Sequence, residues 1–297
     1  MENIAMPNRA EMAALLEATG DYRILRRLPK IEIATNPRPG FTHLGVILDT
    51  ETTGLRRDVD EVIEIGAIAF QYSHSGEIGD VVDVFSALQQ PSRPIPADVS
   101  QLTGITDEMV KGFAIQIQQL EAFIAPAELI IAHNASFDRP FCERLSSIFA
   151  NKPWCCSHNE INWRARGYEG TKLGYLLSQS GLFHDGHRAI DDCYALFEIM
   201  RGAEHSLRSP FAELLLSSRR ERVRIWAEHS PFDKKDVLKE RGYRWSSGEN
   251  HQPKSWWTEL DSTAVQSELT YLQTHIYGRP DAQIKTRRLT ALDRFRG

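Results

Sequence analysis

Apolar positions along the chain fall into strand-like and helix-like stretches. Residues 44–49 (LGVILD), 62–71 (VIEIGAIAFQ) and 81–88 (VVDVFSAL) are short apolar runs rich in β-branched residues, which predicts three buried strands. His74-Ser75-Gly76 supplies a turn between the second and third. Their closeness in sequence predicts antiparallel neighbours. From Thr106 the spacing becomes helical (TDEMVKGF…IQQLEAFI), with Thr106 as N-cap and Asp107 and Glu108 in the first turn. Residues 129–132 (LIIA) predict another strand, 137–149 a helix, 154–157 a last strand, and 173–179 and 189–200 two further helices. That order predicts an α/β fold built on a mixed sheet.

The chain divides around this block. Residues 1–41 read as an N-terminal extension, with a short helix at 10–17 and a proline-rich lead-in at 29–40 (PKIEIATNPRPG). Residues 42–203 hold the α/β domain. Residues 209–297 predict a small α+β C-terminal domain. Its expected elements are strands at 223–226, 243–245 and 255–259, a turn at 246–250, and helices at 234–241 and 262–276.

Composition adds boundaries. A hydrophobic share of 41% and a charged share of 25% suit a soluble globular protein. No apolar stretch reaches the roughly 18 to 20 residues of a membrane helix, and the N-terminus lacks a secretory pattern, so a cytoplasmic enzyme with no membrane role is expected. Cys142, Cys155, Cys156 and Cys193 form no CxxC pair, which favours buried free thiols over zinc or redox chemistry. The net charge of −5 is uneven: residues 218–297 carry 16 Lys/Arg against 11 Asp/Glu, and the other 217 residues carry 19 against 29. Two regions with different electrostatic roles are expected.

Three segments carry candidate chemistry. Asp49-Thr50-Glu51 ends the first strand, and residues two apart on a strand share a face, so the two carboxylates lie close. Such a pair repels unless one member is protonated or a cation neutralises both, and Mg²⁺ or Mn²⁺ fits best. The plain alternative is a strand end whose acids face solvent. In IIAHNASFD, a strand runs into a helix start carrying Asp138, where an acid is also an ordinary N-terminal residue. In HRAIDD, His187 precedes a helix holding Asp191 and Asp192; alone, these read as a surface histidine and helix-start acids.

Taken together, ILDTETTGL, IEIGAI, LTGITDEMV, IIAHNASFD and HRAIDDCYAL resemble the DEDDh 3′→5′ exonucleases over roughly residues 42–202. This is the DnaQ-like family that includes the epsilon proofreading subunit and ribonuclease T. The run WCCSHNE…KLGYLLSQSGL…GHRAIDDCYAL looks most like the exonuclease X branch. The resemblance implies a ribonuclease-H-like mixed sheet flanked by helices. It implies a two-metal mechanism (Mg²⁺ or Mn²⁺) with Asp49, Glu51, Asp138 and Asp192 as ligands and His187 as general base. Neither Asp191 nor His184 stands at a family position. It further implies that Thr52, Thr53, Gly54, Leu55 and Asn134 bind substrate, and that nucleoside 5′-monophosphates leave from a 3′ end of single-stranded DNA. An RNA substrate, a polymerase-bound proofreading role and a homodimer stay open as alternatives.

The tail lies outside that resemblance and holds four of the six tryptophans. Arg241, Arg244, Trp245, Lys254 and Trp257 suggest a basic, aromatic platform for nucleic acid. A tryptophan core or a partner-protein surface are the competing readings. Adjacent Trp256 and Trp257 face opposite sides of a strand, so at most one easily joins a core.

Overall fold

A computed structural model describes residues 8–202, 208–248 and 253–296. Its main sheet has five strands: β1 (His43–Thr52), β2 (Val62–Tyr72), β3 (Ile78–Leu88), β4 (Leu129–Ala132) and β5 (Trp154–Cys156). They lie in the order β3-β2-β1-β4-β5. The first three pair antiparallel, while β4 and β5 add in parallel beside β1. The expected mixed sheet is therefore present, with the early strands as antiparallel neighbours.

The nearly unbroken apolar run of β2 follows from burial on both faces. One face packs Ile47, Ile68 and Phe70 against Leu196, Phe197 and Phe211. These last three come from α4 (Ala189–Arg201) and α5 (Pro210–Ser218), which follow α1 (Ile117–Ile124), α2 (Ala135–Leu145) and α3 (Leu173–Gln179). The other face packs Val46, Leu48 and Ile65 against Leu120, Phe141 and Trp154. All four cysteines are free and buried, as expected.

Several boundaries depart from the pattern. The helix expected to run on from Thr106 is a four-residue turn, Asp107–Val110, separated from α1 by Gly112 at φ +78°. The helix expected at 137–149 starts two residues earlier and stops at Leu145, where Ser146 turns extended. α5 was not foreseen; Ser209 caps it and Pro210 opens it, burying Phe211, Leu214 and Leu215. The N-terminal extension is tied to the α/β block, with Arg26–Arg27 pairing in parallel with Leu182–Phe183 as a separate two-stranded ladder. No helix among the described residues is long and apolar enough to cross a membrane.

The C-terminal α+β region has an antiparallel sheet of β6 (Arg222–Ala227), β7 (Arg244–Trp245), β8 (Trp256–Asp261) and β9 (Lys285–Leu289), ordered β9-β6-β8-β7. One face is covered by α6 (Lys235–Glu240) and α7 (Val265–Tyr271), around Val223, Ile225, Leu238, Tyr243, Leu272 and Ile276. Trp256 packs on this core while Trp257 lies on the opposite face. The polar strand β9 (KTRRL) gave no apolar signal, because only Leu289 is buried. The expected turn at 246–250 lies partly outside the described residues.

After β9 the chain returns to the main block. Trp154 donates its backbone N–H to the Ala291 carbonyl at 2.8 Å. Arg294 is buried and donates to Glu160 and to the carbonyls of Ser217 and Ser218.

Candidate active site

The site forms where β1, β2 and α4 converge. In the ladder, Asp49 stands opposite Gly66 and Glu51 opposite Glu64. A Cβ on Gly66 would sit 2.5 Å from the Ala189 carbonyl carbon, so glycine here lets the first turn of α4 rest on β2. Glu64, almost fully buried, receives Nη2 of Arg188 at 2.8 Å and the backbone N–H of Ala189 at 3.0 Å. These contacts pin the start of α4 and bring Asp192 over β1. Asp49, Glu51 and Asp192 then offer carboxylate oxygens that all lie within 4.8 Å of one another.

Asp138 stands beside this trio rather than in it. It is 2% exposed, on the first turn of α2, and its Oδ1 accepts from the N–H of Thr50 at 3.1 Å and from Thr50 Oγ1 at 2.9 Å. Its charge is the strongest carboxylate influence on Asp49, which places it in the same electrostatic site. Burial first, and the neighbouring carboxylates second, hold Asp49 well above the ordinary range. Burial and Asp192 likewise push Glu51 up to about 8. Burial lifts Asp138 to about 7 against the opposing Thr50 hydrogen bonds.

That donor set fits hard divalent cations. Gathered, oxygen-only and mutually repelling carboxylates are what such an ion neutralises, and Asp49, Glu51 and Asp192 are the residues that could hold it, with Asp138 adjacent.

His187 is exposed, with its backbone in the left-handed region at φ +65°. Its N–H donates to Asp192 Oδ2 at 2.9 Å, which fixes the bend. The imidazole that contacts Asp192 belongs instead to His184, whose Nε2 lies 2.6 Å from Oδ1. Asp191 is exposed and outside the cluster, in keeping with its off-motif position. His133, at the end of β4, is wedged between Ser157 Oγ and the Thr171 carbonyl; burial pushes it down to about 4, which keeps it neutral.

The loop after β1 is internally tied. Thr52 Oγ1 donates to the Gly54 carbonyl at 2.6 Å, Thr53 Oγ1 accepts from the Glu61 N–H at 3.0 Å, and Asp60 accepts from the Arg56 N–H at 2.7 Å. Leu55 projects from it at 84% exposure. Asn134 is exposed just before α2. In the tail, Arg244 and Trp257 line one cleft with this loop, whereas Arg241 is bound to Glu268 and lies over Tyr271. Trp245 packs edge-on against Trp256, and Lys254 lies beside Gly248; neither reaches that cleft.

Glu64 and Thr50 were not singled out from sequence, and His184 was set aside as off the family position. Glu64 in IEIGAI carried a usable signal, since a charged residue inside an apolar strand needs a buried partner. Thr50 had none, because its partner is 88 residues away, and spacing alone does not tell that the ring eight residues before Asp192 turns to it.

Residues 46–200 match the family model for the RNase T exonucleases. The chain is 35% identical over 167 residues to the DNA polymerase III epsilon subunit of Treponema pallidum, covering 51% of this chain and 74% of that protein. It is 44% identical over 98 residues to the PolC-type DNA polymerase III of Thermotoga maritima, covering 32% of this chain but only 7% of that polymerase. Among solved structures, exonuclease X in complex with 5′ overhanging duplex DNA is 25% identical with a TM-score of 0.42, covering 58% of this chain and 99% of that one. Escherichia coli exonuclease I with a dA16 oligonucleotide is 14% identical with a TM-score of 0.47, covering 74% of this chain and 63% of that one. With the family match spanning half the chain and the carboxylates gathered within it, the chain belongs to the DEDDh, RNase T-like family of metal-dependent 3′→5′ exonucleases.

Proposed function

We propose that this enzyme removes nucleotides from the 3′ end of single-stranded DNA and releases nucleoside 5′-monophosphates. The observation that carries this reading is the convergence of Asp49, Glu51 and Asp192 within 4.8 Å, with buried Asp138 beside them. The preference for DNA over RNA is supported by relatives that are DNA polymerase III proteins.

In this reading Asp49, Glu51, Asp138 and Asp192 hold two divalent ions, Mg²⁺ or Mn²⁺. Such ions, when bound, stabilise the charge that builds on the attacking and leaving oxygens of a phosphodiester. His187, exposed and five residues before Asp192, accepts the proton of the attacking water, a role imidazoles commonly take in general-base catalysis. Its backbone N–H meanwhile fixes Asp192, so base and ligand share one bend. Leu55, held out by the tied loop, packs on the terminal base. Thr52 and Thr53 spend their hydroxyls within the loop, the Thr53 N–H goes to the Glu61 carbonyl and the Gly54 carbonyl takes Thr52 Oγ1, so in this reading the loop meets the sugar chiefly through the Gly54 N–H. Asn134 faces the same end of the sheet.

Residues 1–41, 42–203 and 209–297 serve in this reading as an extension, the catalytic domain and an accessory domain. Four free, buried thiols support a reducing, cytoplasmic setting. The epsilon-subunit relative supports a polymerase-associated variant of the same activity, which co-purification with a polymerase would reveal.

The test is degradation of 5′-labelled single-stranded DNA, duplex DNA and RNA in Mg²⁺ by the wild type and by Asp49→Asn. A ladder shortening from the 3′ end on single-stranded DNA, lost in the variant and in EDTA and restored by Mn²⁺, is expected. Near-normal turnover by Asp49→Asn would refute the assignment, and faster loss of RNA would move the substrate.

A further inference from the structure

The C-terminal sheet has a face that its own helices leave uncovered. Strand alternation sends Val223, Ile225, Trp256 and Leu260 toward the α6–α7 core and puts Arg222, Arg224, Trp226 and Trp257 on the other side. Register aligns one row across all four strands: Lys285, Trp226, Trp257 and Arg244. The guanidinium carbon of Arg224 lies 4.6 Å from the Trp257 ring centroid, and that of Arg244 lies 5.4 Å from it.

The part of this face that carries Arg222, Arg224, Arg244 and Trp257 is one wall of a cleft of about 1110 Å³, while Trp226 is buried and Lys285 lies outside it. The opposite wall is residues 55–58 and Ser136, Phe137 and Pro140 of α2. Those segments follow Glu51 by four residues and flank Asp138 in the chain, while the four carboxylates themselves do not line the cleft. Seven arginines and three carboxylates line it, a balance of +4 in a chain of net charge −5. Two of the three acids, Glu160 and Glu259, are taken up by Arg294 and Arg224. Arg57, Arg222 and Arg244 have no carboxylate partner among the described residues. The volume exceeds the roughly 300–1,000 Å³ of pockets for ligands the size of one nucleotide.

We propose that this cleft is the track of the single strand behind its 3′ end. Bases stack on Trp257 and its flanking guanidinium planes, and Arg57, Arg222 and Arg244 contact phosphates. A basic groove interleaved with stacking surfaces is how single strands are held without sequence preference. Arg222, Arg244 and Trp257 lie beyond residues 46–200, so this wall is an addition to the shared nuclease. The proposal rests on the exonuclease reading above.

The experiment is fluorescence anisotropy with labelled oligothymidylates of 3 and 20 nucleotides, in EDTA, at several salt concentrations. Binding is thereby read without hydrolysis, and failure of the activity assay is a separate result. Arg222→Glu/Arg244→Glu and Trp257→Ala are compared with Arg279→Glu, an exposed residue outside the cleft, after circular dichroism confirms folding. The expected result is at least tenfold weaker binding of the 20-mer for both cleft variants, with a smaller loss for the 3-mer and none for Arg279→Glu. Each lost phosphate contact should also flatten the log–log salt slope by about 0.7. Unchanged 20-mer binding, or an equal loss at both lengths, would overturn the proposal.

Discussion

Arg139 follows Asp138 in α2 and is fully buried, yet the partners of its guanidinium come mostly from the far end of the chain. It donates to the carbonyls of Arg294 at 2.7 Å, Leu292 at 2.8 Å and Ala291 at 3.4 Å, and its Nε to Glu143 at 2.7 Å. Arg139→Met keeps most of the buried stem and removes every donor. Hydrogen bonds from a charged group contribute about 1.5–3 kcal/mol each, and a buried acceptor left alone costs about 1–3 kcal/mol. These terms are not additive, and three carbonyls losing one buried charged donor put the expected loss at about 3–5 kcal/mol. In a chain of this size that lowers Tm by roughly 6–20 °C. Urea unfolding measures it directly, with Arg139→Met also placed in a chain ending at residue 289. If Arg139 acts through the terminal turn, the substitution should cost much less in the shortened chain. A loss below about 1 kcal/mol in the full chain, or an undiminished loss in the shortened one, would refute the argument.

Gly66→Ala puts a methyl into the backbone of Ala189 and Ile190, so α4 must shift. Overpacking costs about 1–3 kcal/mol, and turnover should fall at least tenfold because Asp192 moves with the helix; normal turnover would contradict the packing argument. Glu64→Gln weakens the grip on Arg188 and Ala189, and a Mg²⁺ titration of activity should show a higher half-saturating concentration. An unchanged titration would count against Glu64 as a positioning residue. Asp49, Glu51 and Asp138 are all shifted upward, Glu51 to about 8. A carboxylate so shifted binds more protons folded than unfolded between its ordinary range near 4 and its folded value. Stability without metal therefore falls as pH rises through that window. A bound cation removes the repulsion, so the Tm difference between Mg²⁺ and EDTA should grow from pH 5 to pH 8, and a flat difference would show that these carboxylates do not share the ion.

How much of this was legible in sequence depended on range. β1, β2 and β3 were readable because burial on both faces makes their apolar runs nearly continuous, and the DxE spacing places Asp49 and Glu51 on one side of β1 by alternation alone. The acids of the second and third segments were recognisable by their company in the motif series. The conformation of the loop after β1 was not legible, since its ties through Asp60 and Arg144 depend on how α2 packs. β9 was hidden because an edge strand with one buried residue has no apolar period to read.

By itself, then, the sequence determined the mixed α/β core, the family and the acidic residues that define its chemistry, because strand periodicity and short motifs are local properties. Only the tertiary structure decided that Glu64 and Gly66 seat α4 so that Asp192 meets Asp49, and that His184 rather than His187 turns its ring to Asp192. It also decided that the chain's last turn is locked onto α2 through Arg139 and that Trp257 faces the nuclease loop while Trp256 faces the core. All but the His184–Asp192 contact join groups far apart in the chain, and such pairings are chosen by packing and by the need to satisfy buried charge, neither of which leaves a periodic trace in the sequence.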